Sequence, residues 1–278
     1  MTPPTNERKA QDENADNAAT ASTSTSIKHI LAIRHAQSIA NEQLLHRWGA
    51  ADFTDDVSLR DSELSAKGLT QVQQGLPAQL SEPDFAEELS KIELVLVSPL
   101  TRCLQTFTFG VLPQIKNKQI PILALPELTE RVYTVSDTGS PTSVLNEKFP
   151  QVDFSNLHGS EGKCWWYTEE DSEDPVGGHC TREEWRPCNE NQWYAVPGEP
   201  GEIFESRMTR LDKWIQGRPE SNILVVAHWG VLRHLTGGVE WRNAEAKLLE
   251  WKSDEPHAKV LLQTGEPLRS KFAETSKI

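Results

Sequence analysis

Residues 223–227, ILVVA, form an unbroken apolar run, and this run restricts the fold more than any other feature of the chain. A strand with one wet face alternates apolar and polar residues. A strand that is apolar throughout must be covered on both faces, the condition of strands inside a largely parallel sheet. Ile30–Ile33, Leu94–Val97 and Ile120–Leu125 are further β-type runs, and Lys259–Gln263 reads as a fifth strand at an edge. Helical patterns lie between them. Leu69, Val72, Leu76 and Leu80 keep helical spacing, with Pro77 expected to kink or shorten the element. Thr101–Phe109 directly follows the second run, and Phe204, Met208, Leu211 and Ile215 share one face of a helix ended by Gly217 and Pro219. The alternation predicts a three-layer α/β/α sandwich around a mostly parallel central sheet.

Composition sets the limits of the domain. Residues 1–26 are rich in Ser, Thr, Ala, Asn and Asp and offer no face to bury, so they read as a disordered leader. Four acidic residues in this leader argue against a transit peptide, and no basic-then-apolar secretory pattern opens it. The globular domain is expected over residues 27–265, with 266–278 a flexible tail. Inside it, residues 155–200 hold Trp165, Trp166, Trp185 and Trp193 together with Cys164, Cys180 and Cys188. That is too long and too aromatic for a simple loop, and it reads as an insertion covering the end of the sheet where ligands bind. His158, Cys164, His179, Cys180 and Cys188 lack a paired Cys-x-x-Cys spacing, which favours packed aromatics with free thiols over zinc. No metal is expected.

A net charge of -13 argues against nucleic acid or an anionic membrane as partner, and no apolar stretch is long enough to span a bilayer. Cysteines without a secretory signal point to a reducing, cytoplasmic or nuclear setting. Oligomeric state leaves no mark on the sequence. The global acidity does not exclude an anionic substrate, because a few local arginines override it at close range.

Those arginines stand at strand ends. The first strand runs out in Arg34-His35, the second in SPLTR ending at Arg102, and the fourth in His228 within VVAHWGVLRHL. The carboxyl ends of parallel strands share one edge, so side chains far apart in sequence converge there. Two guanidiniums and two imidazoles make poor packing material and a good receptor for a tetrahedral dianion, because the forked donors of arginine match phosphate oxygens.

These segments carry a resemblance. IRHAQSIANE is similar to the signature of the histidine phosphatase superfamily, the phosphoglycerate mutase-like enzymes, whose motif is Arg-His-Gly followed by Asn. SPLTRCLQT resembles that family's second motif, VVAHWG its last, and DSELSAKGLTQVQQ its Asp-x-x-Leu-Thr-x-x-Gly-x-x-Gln. In order, the four motifs cover roughly residues 27–265. The resemblance implies a covalent mechanism with His35 as nucleophile, and Arg34, Arg102 and His228 holding the equatorial oxygens. Asn41 would add a neutral donor from the following helix. Family position puts the proton donor in Leu128-Thr129-Glu130, with Glu130 preferred and Glu127 a rival. The preference rests on the spacing to SDTGSP (Asp137, Thr138, Gly139), which resembles the plant and fungal phosphatase branch.

Two positions depart from the family pattern. Ala36 replaces the glycine after the first histidine, and Trp229 follows the second, where a small residue is usual. The indole narrows the pocket, stacks on an aromatic substrate, or points into the core. His46 and Arg47 either meet the substrate or end a solvated helix. LTERVYT shares Glu130, Arg131 and Tyr133 with the mutases' Leu-Asn-Glu-Arg-His-Tyr-Gly but lacks its His and Gly. The expected activity is therefore hydrolysis of small phosphate esters, with water as acceptor and no cofactor. Mutase-type transfer and a catalytically weak binding or assembly module are the alternatives.

Overall fold

A computed structural model of the chain describes residues 26–47, 56–115, 119–157, 165–167 and 198–263. Its strands are β1 (Ile27–Arg34), β2 (Leu94–Val97), β3 (Ile122–Ala124), β4 (Asn222–Ala227), β5 (Ala246–Lys252) and β6 (Lys259–Gln263). They form one six-stranded sheet in the order β3-β2-β4-β1-β5-β6. The four strands β3, β2, β4 and β1 are parallel; β5 runs antiparallel to β1, and β6 antiparallel to β5. β2 and β6 have the expected bounds, and β6 is the expected edge. β5 was not expected, because Lys247 and Glu250 interrupt AKLLEWK. Lys247 is nonetheless buried, its Nζ donating to Glu245 Oε1 at 2.9 Å and Gln263 Oε1 at 3.0 Å.

Alternate residues of each strand face opposite sides, as the two-residue period requires. Leu31, Ile33, Val95, Val97, Leu224 and Val226 enter one buried cluster, while Ile30, Ala32, Leu94, Leu96, Ile223 and Val225 enter another. The first cluster is closed by four helical elements. α2 runs as Ala66–Thr70, a π turn at Gln71–Gly75 and Leu76–Leu80; α3 is Pro83–Lys91. α4 runs as Thr101–Thr106, a π turn at Phe107–Val111 and Leu112–Ile115, and α5 is Thr142–Lys148. The second cluster is closed by α6 (Gly201–Gln216) and α7 (Trp229–Leu235). With α1 (Ile39–Arg47) leading off β1, this is the expected mixed α/β architecture with helices on both faces.

Pro77 does not end its helix. It stands two residues past the end of the widened turn, and Pro113 stands in the same relation to the π turn of α4. A proline ring crowds the carbonyl of the preceding turn and supplies no N–H, and the i→i+5 turn makes room for that conflict without breaking the element.

The leader through residue 25, the tail from residue 264 and most of the 155–200 segment lie outside the described residues. Of that segment's aromatics, Trp165 and Trp166 are described and buried, packed edge to face at 5.0 Å. The Trp165 indole N–H donates to the Ser140 carbonyl at 2.9 Å. Trp185, Trp193, His158, His179, Cys164, Cys180 and Cys188 lie outside. Among the described residues, no helix is long and apolar enough to cross a membrane.

Candidate active site

Sheet register brings the site together. Arg34 pairs with Ala227, and Val97 with Val226, so three neighbouring strands end at one level. The residues that follow are His35, Ser98 and His228. The His35 and His228 rings lie with centroids 4.9 Å apart, tilted by 57°. Both are buried. Burial, followed by the charges of Arg102 and Arg34, holds the His35 imidazole well below its ordinary pKa. Burial and Arg102 do the same to His228. Both rings are therefore neutral at pH 7.

Each ring is oriented by a specific partner. His35 Nδ1 lies 2.7 Å from the Ala36 carbonyl oxygen. A carbonyl only accepts, so in the neutral ring Nδ1 carries the proton and Nε2 keeps its lone pair. His228 Nε2 lies 2.7 Å from Ser98 Oγ and 3.4 Å from Cys103 Sγ. Burial pushes the Cys103 thiol up, which keeps it protonated.

Arg102 is buried, with Nη1 donating to the Ser136 carbonyl at 2.7 Å and Nη2 to Asp137 Oδ1 at 2.9 Å. Arg34 Nη1 donates to the Trp241 carbonyl at 2.7 Å, while its buried Nε has no protein partner. Burial pulls the Arg34 guanidinium below its ordinary pKa, opposed first by Glu130.

The Asp-x-x-Leu motif acts as scaffolding. Asp61, held at φ 44°, accepts from the Thr101 N–H and hydroxyl, both at 2.7 Å, which fixes the start of α4 immediately before Arg102. Ala36 N–H donates to Thr106 Oγ1 at 3.0 Å, and Gln37 N–H to Gln71 Oε1 at 2.9 Å. Gly68 lets α2 approach that same turn: a Cβ there would overlap the Gln37 carbonyl oxygen and sit 3.0 Å from its carbon.

Glu130, and not Glu127, reaches the strand-end cluster. Its Oε2 accepts from the Gly230 N–H at 3.2 Å and its Oε1 from the Arg131 N–H at 3.0 Å. Burial, with Asp137 adding to it, pushes its carboxyl up and favours the protonated form. Gly230 is what permits the approach, since a Cβ there would overlap Glu130 Oε1. Among the described residues, the Glu127 carboxylate makes no hydrogen bond or ion pair. Only its backbone carbonyl is engaged, by Arg207.

The remaining candidates divide. Asn41 Oδ1 accepts from Ser38 N–H and Asn243 Nδ2, both at 3.3 Å, and that Nδ2 also donates to the His35 carbonyl at 3.1 Å. Asn41 is thus tied to the turn that carries His35. Trp229 is half-buried and packs partly against the α6–α7 cluster. Its indole N–H donates to Glu240 at 2.9 Å, and the Arg233 guanidinium lies 4.9 Å from its ring centroid. Arg47 pairs with Asp56 at 2.8 Å. It stands at the end of α1, about 12 Å from the helix start at ~1.5 Å per residue.

No family model matches the chain. Over 75 residues it is 36% identical to a probable phosphatase of Schizosaccharomyces pombe, a match covering 27% of this chain and 35% of that protein. Solved structures with a similar course of chain include a candidate alpha-ribazole-5′-P phosphatase of Escherichia coli, at 19% identity and TM-score 0.48. That alignment covers 86% of this chain and 97% of the other. They also include a phosphoglycerate mutase of Bacillus anthracis, at 17% identity and TM-score 0.45, covering 85% and 92%.

Proposed function

We propose that the chain is a phosphomonoesterase of the histidine phosphatase superfamily that hydrolyses small phosphate esters through a phosphohistidine on His35. The observation that carries this reading is the Ala36 carbonyl at His35 Nδ1, which leaves an unprotonated Nε2 in a pocket charged by Arg34 and Arg102. Nε2 attacks phosphorus and the ester P–O bond breaks. The departing alkoxide takes the Glu130 proton, whose retention is favoured by burial and by Asp137. The Glu130 carboxylate then takes a proton from water, the hydroxide displaces the phosphoryl group from Nε2, and phosphate leaves with His35 neutral and Glu130 reprotonated.

Arg34, Arg102 and His228 hold the three equatorial oxygens as charge redistributes, and their pre-set positions mean little reorganisation is needed in the transition state. Asn41 contributes to the same cradle through its tie to the His35 turn. The two arginines supply the positive charge this chemistry needs, so the reading calls for no cofactor. Departure from the mutase pattern at Val132 and Thr134, on either side of Tyr133, favours water as acceptor.

The test is release of inorganic phosphate from 4-nitrophenyl phosphate and a panel of alkyl, sugar and nucleotide phosphates, by wild type and His35→Ala. The account expects turnover by wild type only. Equal release by both would leave a binding module, and movement of phosphate between positions of one glycerate without release would show a mutase.

A further inference from the structure

One buried ion pair outside the phosphoryl cluster is joined to it by the backbone. Arg207 belongs to α6 and lies in the stripe of Phe204, Met208, Leu211 and Ile215 that faces the sheet. It is 3% exposed, and Glu199, just before the helix, is 1% exposed. A guanidinium buried this deeply must have its N–H groups satisfied, and the way they are satisfied is informative. Nε and Nη2 fork onto the Glu199 carboxylate at 2.9 and 2.7 Å. Nη1 donates to the carbonyls of Glu127 at 2.8 Å and Thr129 at 2.7 Å, and Nη2 reaches that of Glu130 at 3.5 Å.

Glu199 grips the same loop from its other end. Its N–H donates to the Val132 carbonyl at 2.8 Å, its Oε2 accepts from the Val132 N–H at 3.3 Å, and its carbonyl accepts from Arg131 Nε at 2.8 Å. Together the two residues bind the backbone on both sides of Glu130, whose carboxylate emerges between the two grips.

We propose that Glu199 and Arg207 are positioning residues for the proton donor: they fix the 127–132 loop so that the Glu130 carboxyl stands against the Gly230 N–H at the phosphoryl pocket. The inference rests on the reading of Glu130 as the acid. A lysine at 207 keeps the charge and loses the fork, because one ammonium cannot span a carboxylate and separate carbonyls at once. A glutamine at 199 keeps the shape and loses the charge.

Protonation of the leaving group matters for an alkyl alkoxide and little for a stable aryl oxide, so displacement of the acid has a signature that general loosening lacks. The experiment measures kcat/KM of Arg207→Lys and Glu199→Gln on an alkyl phosphate and on 2,4-dinitrophenyl phosphate, with thermal unfolding to confirm a folded chain. Glu130→Gln is the reference. The expected result is a loss of about 10²-fold on the alkyl ester against less than about threefold on the aryl ester, for Glu130→Gln and for both clamp variants.

An equal loss on both esters, or none, in the clamp variants while Glu130→Gln discriminates would overturn the clamp and leave the acid reading intact. A Glu130→Gln protein that does not discriminate would overturn the acid reading, and the clamp with it. Failure of both clamp variants to fold would also overturn the proposal, since the pair would then hold the domain and not the acid.

Discussion

Gly230→Ala separates local helix stability from the chemistry. Gly230 is the second residue of α7, and it does not adopt a positive φ. There alanine is the better helix former by about 1 kcal/mol. Its methyl, however, would overlap Glu130 Oε1 and lie 3.4 Å from Cδ and 3.8 Å from Oε2. For an ordinary contact Oε1 must retreat by about 1 Å, and a misplacement of ~1 Å in a reacting group costs about 10²-fold. The carboxylate would also lose its 3.2 Å bond from the Gly230 N–H. The expected protein therefore unfolds in urea within about 1 kcal/mol of wild type while losing ~10²-fold in kcat/KM on alkyl phosphates. Steady-state phosphate release and a urea titration on the same preparation measure both. Full activity on alkyl esters in a folded Gly230→Ala protein would refute the placement of Glu130 as the acid.

Asp137→Asn should lower the basic limit of the kcat/KM–pH profile. Asp137 helps hold the Glu130 carboxyl up, so without that charge Glu130 releases its proton at lower pH; an unmoved limb would contradict this. The same change weakens the buried bond to Arg102 and should cost about 1–3 kcal/mol in a urea titration. The folded pKa of His35 lies well below its unfolded value, so below pH ~6.5 the unfolded chain binds a proton that the native one refuses. Wild type should lose stability relative to His35→Asn as pH falls from about 6.5 toward the folded value, by up to ~1.4 kcal/mol per pH unit, read from denaturation midpoints at each pH. Gly68→Ala should destabilise the chain by about 1–3 kcal/mol, because a methyl there meets the Gln37 backbone and not a movable side chain.

The strands that carry the site are legible because burial on both faces leaves only apolar residues to write. β2 and the core of β4 need no further clue, and β1 is read short only because it begins with Ile27, Lys28 and His29. Lys28 sits in the strand with its Nζ capped by the carbonyls of Arg218 and Glu220 at 2.5 and 2.9 Å. β5 escapes detection for a similar reason, since Lys247 is buried only by virtue of acceptors on Glu245 and Gln263. A sequence shows the charge of such a lysine and not the partners that cancel it.

The site shows the same division. The convergence of Arg34, His35, Arg102 and His228 is legible from strand ends and the motifs around them, because parallel register gathers the segments that carry them. The choice between Glu127 and Glu130 depends on which carboxylate meets the start of a helix a hundred residues later, and the one local sign of it is Gly230 after His228-Trp229. Asp61, Asp137, Asn243 and Arg207 act through long-range bonds to Thr101, Arg102, His35 and the 127–132 loop. No pattern of spacing announces these contacts. Arg47, a basic residue near a motif, pairs with Asp56, a contact that spacing does not announce either.

Rapid quenching during turnover of a radiolabelled phosphate ester tests the central claim most directly. The account predicts a phosphoryl group on His35 Nε2, labile in acid and stable in alkali, approaching about one per chain if its hydrolysis is slow, and absent from His35→Asn. Turnover with no such species, or with the label on another residue or on Nδ1, would contradict it.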